Sequence, residues 1–208
     1  METLAATLRA AKVIPVLTIN DASHAVPLAR ALVAGGLTAL EITLRTPAAA
    51  AAVAAIRREV PEAQAGLGTV TGVEDLALAA DLDLPFAFSP GGTGLLLAEA
   101  VRRGVRFIPG VATASELMTA LAHGFSLVKF FPAVQAGGIP MLRALAGPFP
   151  SVRFCPTGGI TPDNAGTFLG EPNVVAVGGS WLAPPADQEA GAWAAITGRA
   201  LQIKANLG

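Results

Sequence analysis

Lys129 is the residue in this sequence best placed to do covalent chemistry on a carbonyl. The chain of 208 residues holds three lysines, Lys12, Lys129 and Lys204. Lys12 opens a strand-like run and is expected at a stabilising face remote from chemistry. Lys204 is close to the last residue and is expected in solvent. Lys129 stands inside SLVKFFP (126–132), between Val128 and Phe130. An ammonium among such neighbours costs free energy unless it is paired or gives up its proton. A desolvated neutral amine attacks ketones and forms an imine. The alternative is a lysine whose stem is buried and whose amine reaches water at a rim.

A second constellation is LEITLR (40–45). Side chains alternate along a strand, so Glu41, Thr43 and Arg45 share one face and Leu40, Ile42 and Leu44 the other. An acid, a hydroxyl and a guanidinium on one face are unusual for a packed core. Glu41 suits proton transfer, and Arg45 suits a substrate carboxylate, which its planar fork can grip. A buried Glu41–Arg45 ion pair that only fixes structure is the competing reading.

Glycine pairs mark the third candidate. Thr157-Gly158-Gly159-Ile160 and Gly178-Gly179-Ser180 each end a strand-like run. Bare glycine lets the backbone N–H groups approach an anion, and Ser180 adds a hydroxyl. Two tight turns that need glycine for steric reasons would look the same. Gly66-Leu67-Gly68-Thr69 brings another hydroxyl to a strand end, and Ser89-Pro90-Gly91-Gly92 reads as a strand-to-helix turn.

Metal chemistry has no footing in the pattern. The two histidines, His24 and His123, fall in helix-like stretches, and no His, Asp or Glu cluster has ligand spacing. The single cysteine, Cys155, lies inside a strand with no histidine partner and reads as a core residue. Neither a Walker loop nor a dinucleotide fingerprint occurs in a strand-turn-helix context. No metal and no cofactor is therefore expected.

The elements that must position these residues alternate regularly. Strands are expected at 12–19, 39–44, 63–70, 85–90, 105–111, 126–132, 152–158 and 174–180. Helices are expected at 23–35, 47–60, 72–82, 93–103, 113–123, 138–147, 161–169 and 187–205. Ser23 is a candidate cap, Thr46-Pro47 and Thr161-Pro162 follow a cap-then-proline order, and Gly35, Gly104 and Gly124 stand where helices should stop. Eight such pairs predict an α/β fold, a closed (β/α)8 TIM barrel spanning 1–208 as a single domain. An open doubly wound sheet is the runner-up. In a barrel, chemistry sits at the C-terminal strand ends, and the loops after strands seven and eight often hold phosphate. That is where Gly158, Gly159, Gly179 and Ser180 fall.

Composition narrows the partners. Apolar residues make up 52% and charged residues 14%, with a net charge of −1. No basic block exists to grip nucleic acid. No apolar run reaches the ~18 uninterrupted residues of a spanning helix. The opening Met1-Glu2-Thr3-Leu4 carries a negative charge where a signal peptide would be positive. A small-molecule substrate, no membrane and a cytoplasmic setting are expected, the lone cysteine suiting a reducing compartment.

Several stretches together resemble one known family. They are AGGLTALEITLRT (34–46), GLGTV (66–70), FSPG (88–91), VKFFPA (128–133), AGPF (146–149), VRFCPTGGI (152–160) and GGSWL (178–182). The resemblance is to the class I aldolases of 2-keto-3-deoxy-6-phosphogluconate (KDPG) and 4-hydroxy-2-oxoglutarate (KHG), and it runs over nearly the whole chain. It implies that Lys129 is the Schiff-base lysine and Glu41 the general acid/base. Arg45 and Thr69 would contact the pyruvate carboxylate. Pro90, Phe131 and Thr157 would line the substrate pocket, and Gly158, Gly159, Gly179 and Ser180 would hold a phosphate. It further implies a homotrimer and a place in the Entner-Doudoroff route. Two departures from the family pattern, both placed beside the site, are the run Pro132–Gly138, where more polar residues are usual, and Leu67, where a small residue is usual. The competing functions are a phosphate-binding barrel isomerase or epimerase, and a non-catalytic barrel that binds a sugar-acid phosphate.

Overall fold

The structure, a computed structural model, describes residues 2–207. Met1 and Gly208, the ends of the expected single-domain span, lie outside the described residues. The strands are β1 (Val13–Leu17), β2 (Ala39–Thr43), β3 (Gln64–Gly68), β4 (Ala87–Phe88), β5 (Phe107–Ile108), β6 (Gly110–Val111), β7 (Leu127–Phe130), β8 (Arg153–Pro156) and β9 (Val177–Gly179). The helices are α1 (Glu2–Ala11), α2 (Ala25–Ala34), α3 (Ala49–Glu59), α4 (Val73–Asp81), α5 (Gly94–Arg103), α6 (Ala114–Ala122), α7 (Gly138–Ala146), α8 (Pro162–Leu169), α9 (Pro185–Glu189) and α10 (Trp193–Leu207).

All paired strands run parallel. One sheet has the order β5-β4-β3-β2-β1-β9 and curls into a half-barrel; the other has the order β6-β7-β8. Only Pro109, which cannot donate to a ladder, separates β5 from β6. Single bridges, Phe154 with Val174 and Thr157 with Gly178, connect β8 to the segment of β9.

Two apolar clusters hold this arrangement. The larger lies between strands and helices, with Ile42, Leu67, Val128 and Phe154 facing Leu28, Ile56, Leu76 and Leu142. The smaller fills the concave side with Ile14, Phe86, Phe88, Ile108, Leu127 and Cys155. Leu4 and Leu8 of α1 pack into this second cluster, so α1 closes the N-terminal end of the strands. Burial on both faces explains why most strands read as nearly unbroken apolar runs.

Five sequence expectations need correction. No helix was foreseen before residue 12, yet α1 is there, and its Leu4–Leu8 spacing of four places both on one face. Ser23 is not a cap: its N–H donates to the Asp21 carboxylate, and Asp21 caps the short 3-10 turn Ala22–His24. Thr46 is not a cap either, since its hydroxyl donates to the Ile19 carbonyl at 2.5 Å and α3 starts without a side-chain cap. The expected strand 105–111 is broken at Pro109, and the expected helix 187–205 is two helices, α9 and α10. Thr161-Pro162 does form the expected start: Thr161 and Asn164 build a capping box with Pro162 in the first turn. No helix among the described residues is long and apolar enough to cross a membrane.

Candidate active site

The strand pattern brings two charges separated by 88 residues of sequence into contact. Lys129, on β7, donates from Nζ to Glu41 Oε1, on β2, at 2.8 Å. Glu41 is 1% exposed and Lys129 4%. Neither reaches bulk water, which excludes the reading in which the amine lies in solvent at a rim. Each charge is therefore offset by the other, the condition under which a buried ion pair survives. The rings of Phe88 and Phe131 lie 5.3 and 5.5 Å from Nζ and keep that side of the amine dry.

Neighbouring strands make room for this pair. Gly110 and Cys155 flank Lys129 in register, and Val16 and Gly66 flank Glu41. A β-carbon on Gly68 would stand 2.3 Å from Glu41 Oε1 and 2.5 Å from its Cγ, so only glycine leaves the carboxylate where it is. Leu67, between Gly66 and Gly68, points to the helix layer and is fully buried there. Its size therefore does not bear on the site, contrary to the expectation. Cys155 is buried under the pair; burial pushes its thiol up to about 12, the field of Lys129 pulling the other way.

Thr43 does not join the mouth. Its hydroxyl donates to the Leu17 carbonyl at 2.9 Å and sits 3.1 Å from Thr18 Oγ1, tying β2 to β1. Arg45 does not pair with Glu41, so the purely structural ion pair is excluded. Instead its Nε donates to Thr69 Oγ1 at 3.2 Å, at the exposed end of β2. Thr69 holds φ +60, a left-handed conformation that β-branched residues rarely adopt.

A cavity of about 230 Å³ opens at these strand ends. Arg45, Phe131 and Thr157 line it, as do all four residues expected to hold an anion: Gly158, Gly159, Gly179 and Ser180. Phe131 connects this cavity to the amine of Lys129. Thr69 joins through Arg45. Pro90 is not among the lining residues; its carbonyl packs on Gly110, the strand partner of Lys129. Sequence reasoning missed one lining residue, Val16, and named Ile160 and Gly178 only as parts of the glycine-rich strand ends. Register could have found Val16, because it lies opposite Glu41.

The loop after β8 is held by the turn that follows Lys129. Ala133 N–H donates to the Thr157 carbonyl at 2.8 Å, and Val134 N–H to the Gly158 carbonyl at 3.1 Å. These are backbone contacts, so the apolar residues at Val134 and Ala136 leave them intact. Gly158 and Gly159 hold φ +97 and +76, which demands glycine at both positions. Among the described residues, no group of three or more His, Cys, Asp or Glu is placed to hold a metal ion.

Comparison with known proteins bears on this site. Residues 4–199 match the family described as Aldolase: KDPG and KHG aldolase. The chain is 50% identical, over 193 residues covering 93% of it and 90% of the relative, to a 2-dehydro-3-deoxy-phosphogluconate aldolase of Pseudoalteromonas atlantica. Its fold is similar to that of the KDPG aldolase from Legionella pneumophila, with TM-score 0.93, 44% identity and coverage of 96% and 97% of the two chains. That enzyme was captured with pyruvate at low pH as a covalent carbinolamine. It is also similar to the Zymomonas mobilis ZM4 aldolase bound to 3-phosphoglycerate, with TM-score 0.92, 44% identity and coverage of 99% and 96%.

Proposed function

The chain belongs to the KDPG and KHG aldolase family, and from that premise we propose the part each residue plays in aldol cleavage. The enzyme is a carbon–carbon lyase. It reversibly cleaves 2-dehydro-3-deoxy-6-phosphogluconate to pyruvate and glyceraldehyde 3-phosphate, and 4-hydroxy-2-oxoglutarate to pyruvate and glyoxylate. The first reaction belongs to the Entner-Doudoroff route of carbohydrate metabolism.

The observation that carries the residue assignment is the buried contact between Lys129 and Glu41. Passing the ammonium proton to Glu41 leaves a neutral amine against a neutral acid, with no net charge stranded in the core. The amine attacks C2 of the keto acid to give a carbinolamine, and loss of water gives the iminium. Glu41, ionised again and acting through a water, takes the proton of the C4 hydroxyl. The C3–C4 bond then breaks, its electrons pass into the iminium to form an enamine, and the aldehyde leaves. Protonation at C3 and hydrolysis return pyruvate and free Lys129. Arg45, oriented by Thr69, takes the carboxylate next to the ketone. Phe131 and Thr157 shape the pocket, Pro90 backs the strand partner of Lys129, and Gly158, Gly159, Gly179 and Ser180 bind the phosphate. An isomerase or a non-catalytic binder has no need of a buried lysine paired with an acid.

For the fold we read the two sheets as one closed (β/α)8 barrel in a single domain. The one-residue break at Pro109 and the bridges from β8 to β9 support that reading. The assembly we propose is a homotrimer working in the cytoplasm. Exposed apolar side chains on α5 and α6, Leu95 and Met118, are the places where a second copy would bury surface. Incubation with pyruvate and borohydride, followed by peptide mass spectrometry, tests the mechanism: a three-carbon adduct is expected on Lys129 alone. Its absence there, or turnover surviving Lys129→Ala, overturns the assignment.

A further inference from the structure

We propose that Asn164 is a positioning residue that turns the glycine loop after β8 so that the backbone N–H groups of Gly159 and Ile160 face the substrate phosphate. The proposal rests on the anion reading of the cavity given above, and it adds a side chain that neither touches the cavity nor shares a strand with it.

In a trans peptide the carbonyl and the following N–H point in opposite directions. Fixing a carbonyl therefore aims the next N–H. Three successive carbonyls in this loop are fixed. Thr157 and Gly158 accept from Ala133 and Val134, and Gly159 accepts from Asn164 Nδ2 at 3.0 Å. The amides that follow are directed the other way: that of Gly158 faces the Gly178 carbonyl across the bridge to β9, and those of Gly159 and Ile160, both cavity-lining residues, are left open. Neither Gly159 nor Ile160 donates a hydrogen bond within the protein. Exposed donors converging beside Ser180 form a concavity for an anion.

Asn164 holds its place because α8 holds it. Its Oδ1 accepts from Thr161 N–H at 2.9 Å, while its own N–H donates to Thr161 Oγ1 at 3.4 Å. Only one orientation of the amide satisfies both ends, since the flipped form would set oxygen against the Gly159 carbonyl and NH2 against the Thr161 N–H. Two of the three clamps are main chain and beyond the reach of substitution. The third is a side chain, so the design can be tested.

The test compares kcat/KM for the phosphorylated sugar acid with that for its dephosphorylated counterpart. Asn164→Ala should lower this ratio by about 10-fold or more, chiefly through KM for the phosphorylated substrate, as expected for loss of a charge-assisted hydrogen bond. Thr161→Ala removes the helix cap but keeps the Asn164–Gly159 bond. It should lower the melting temperature while keeping the wild-type ratio. If Thr161→Ala lowers the ratio as much as Asn164→Ala does, the role is merely structural and the proposal falls. It falls too if Asn164→Ala keeps the wild-type ratio, or if the wild type shows no preference while still trapping pyruvate on Lys129. In those three cases the aldolase reading stands. A wild type that traps no pyruvate removes the aldolase reading itself.

Discussion

Glu41 and Lys129 meet across strands on which each has a glycine as one of its register partners, Gly66 and Gly110. That argument makes Gly68 as informative as the charged pair. Gly68→Ala should displace the carboxylate and cut kcat steeply while leaving pyruvate trapping measurable, because Lys129 stays in place. Glu41→Gln should slow turnover by about 10² to 10⁴ and still yield the trapped adduct; wild-type turnover in that variant would dismiss Glu41 as the base. Cys155 sits beside the same lysine yet should be inert. With burial pushing its thiol up to about 12, iodoacetamide at pH 8 should label it only after unfolding in urea, as intact-mass spectra would show. The charged pair was legible in the sequence because strand alternation put Glu41 on the polar face and two phenylalanines announced a dry lysine. Thr43 was misread for the same reason: alternation gives the face of a side chain but not its partner, and its hydroxyl goes to Leu17.

Elements were legible wherever the pattern switched between strand and helix. Every expected strand contains an observed one, because strands buried on both faces leave long apolar runs. The failures have local causes. Helix α1 has no strand before it and so broke the alternation the reading relied on. Leu4 and Leu8, four residues apart, were the available signal. Asp21 and Ser23 stand two residues apart, both are good caps, and geometry alone chose between them. Leu8→Ala should cost about 2–5 kcal/mol of stability by opening a cavity under the strands, read as a shift in the urea midpoint with KM unchanged. Thr69 poses a different balance at the end of β3. Thr69→Gly should relieve the left-handed strain, of order 1–3 kcal/mol, and raise the melting temperature. The same change removes the hydroxyl that holds Arg45, so KM for the keto acid should rise. A variant that is both more stable and fully active would refute the orienting role of Thr69.

At the scale of the whole molecule, the N-terminal ends of the strands are plugged and the C-terminal ends are open. Stability and chemistry are thereby kept at opposite poles. The proposed trimer belongs to this scale. Placing charges at the exposed apolar positions, as Leu95→Glu with Met118→Glu, should give monomers in light scattering with Lys129 still trapped by pyruvate. The backbone bonds from Ala133 and Val134 to the loop of Thr157 and Gly158 have a consequence for which substrates fit. They set a calliper, with the amine on one jaw and the phosphate cradle on the other, and its opening is set by these two main-chain clamps together with the Asn164 side chain. Acids whose far anion lies nearer the ketone, as in 4-hydroxy-2-oxoglutarate, must leave one jaw unfilled and should show the higher KM. Side-chain libraries across residues 133–137 should leave that length preference standing, whereas one residue inserted in the same turn should abolish it.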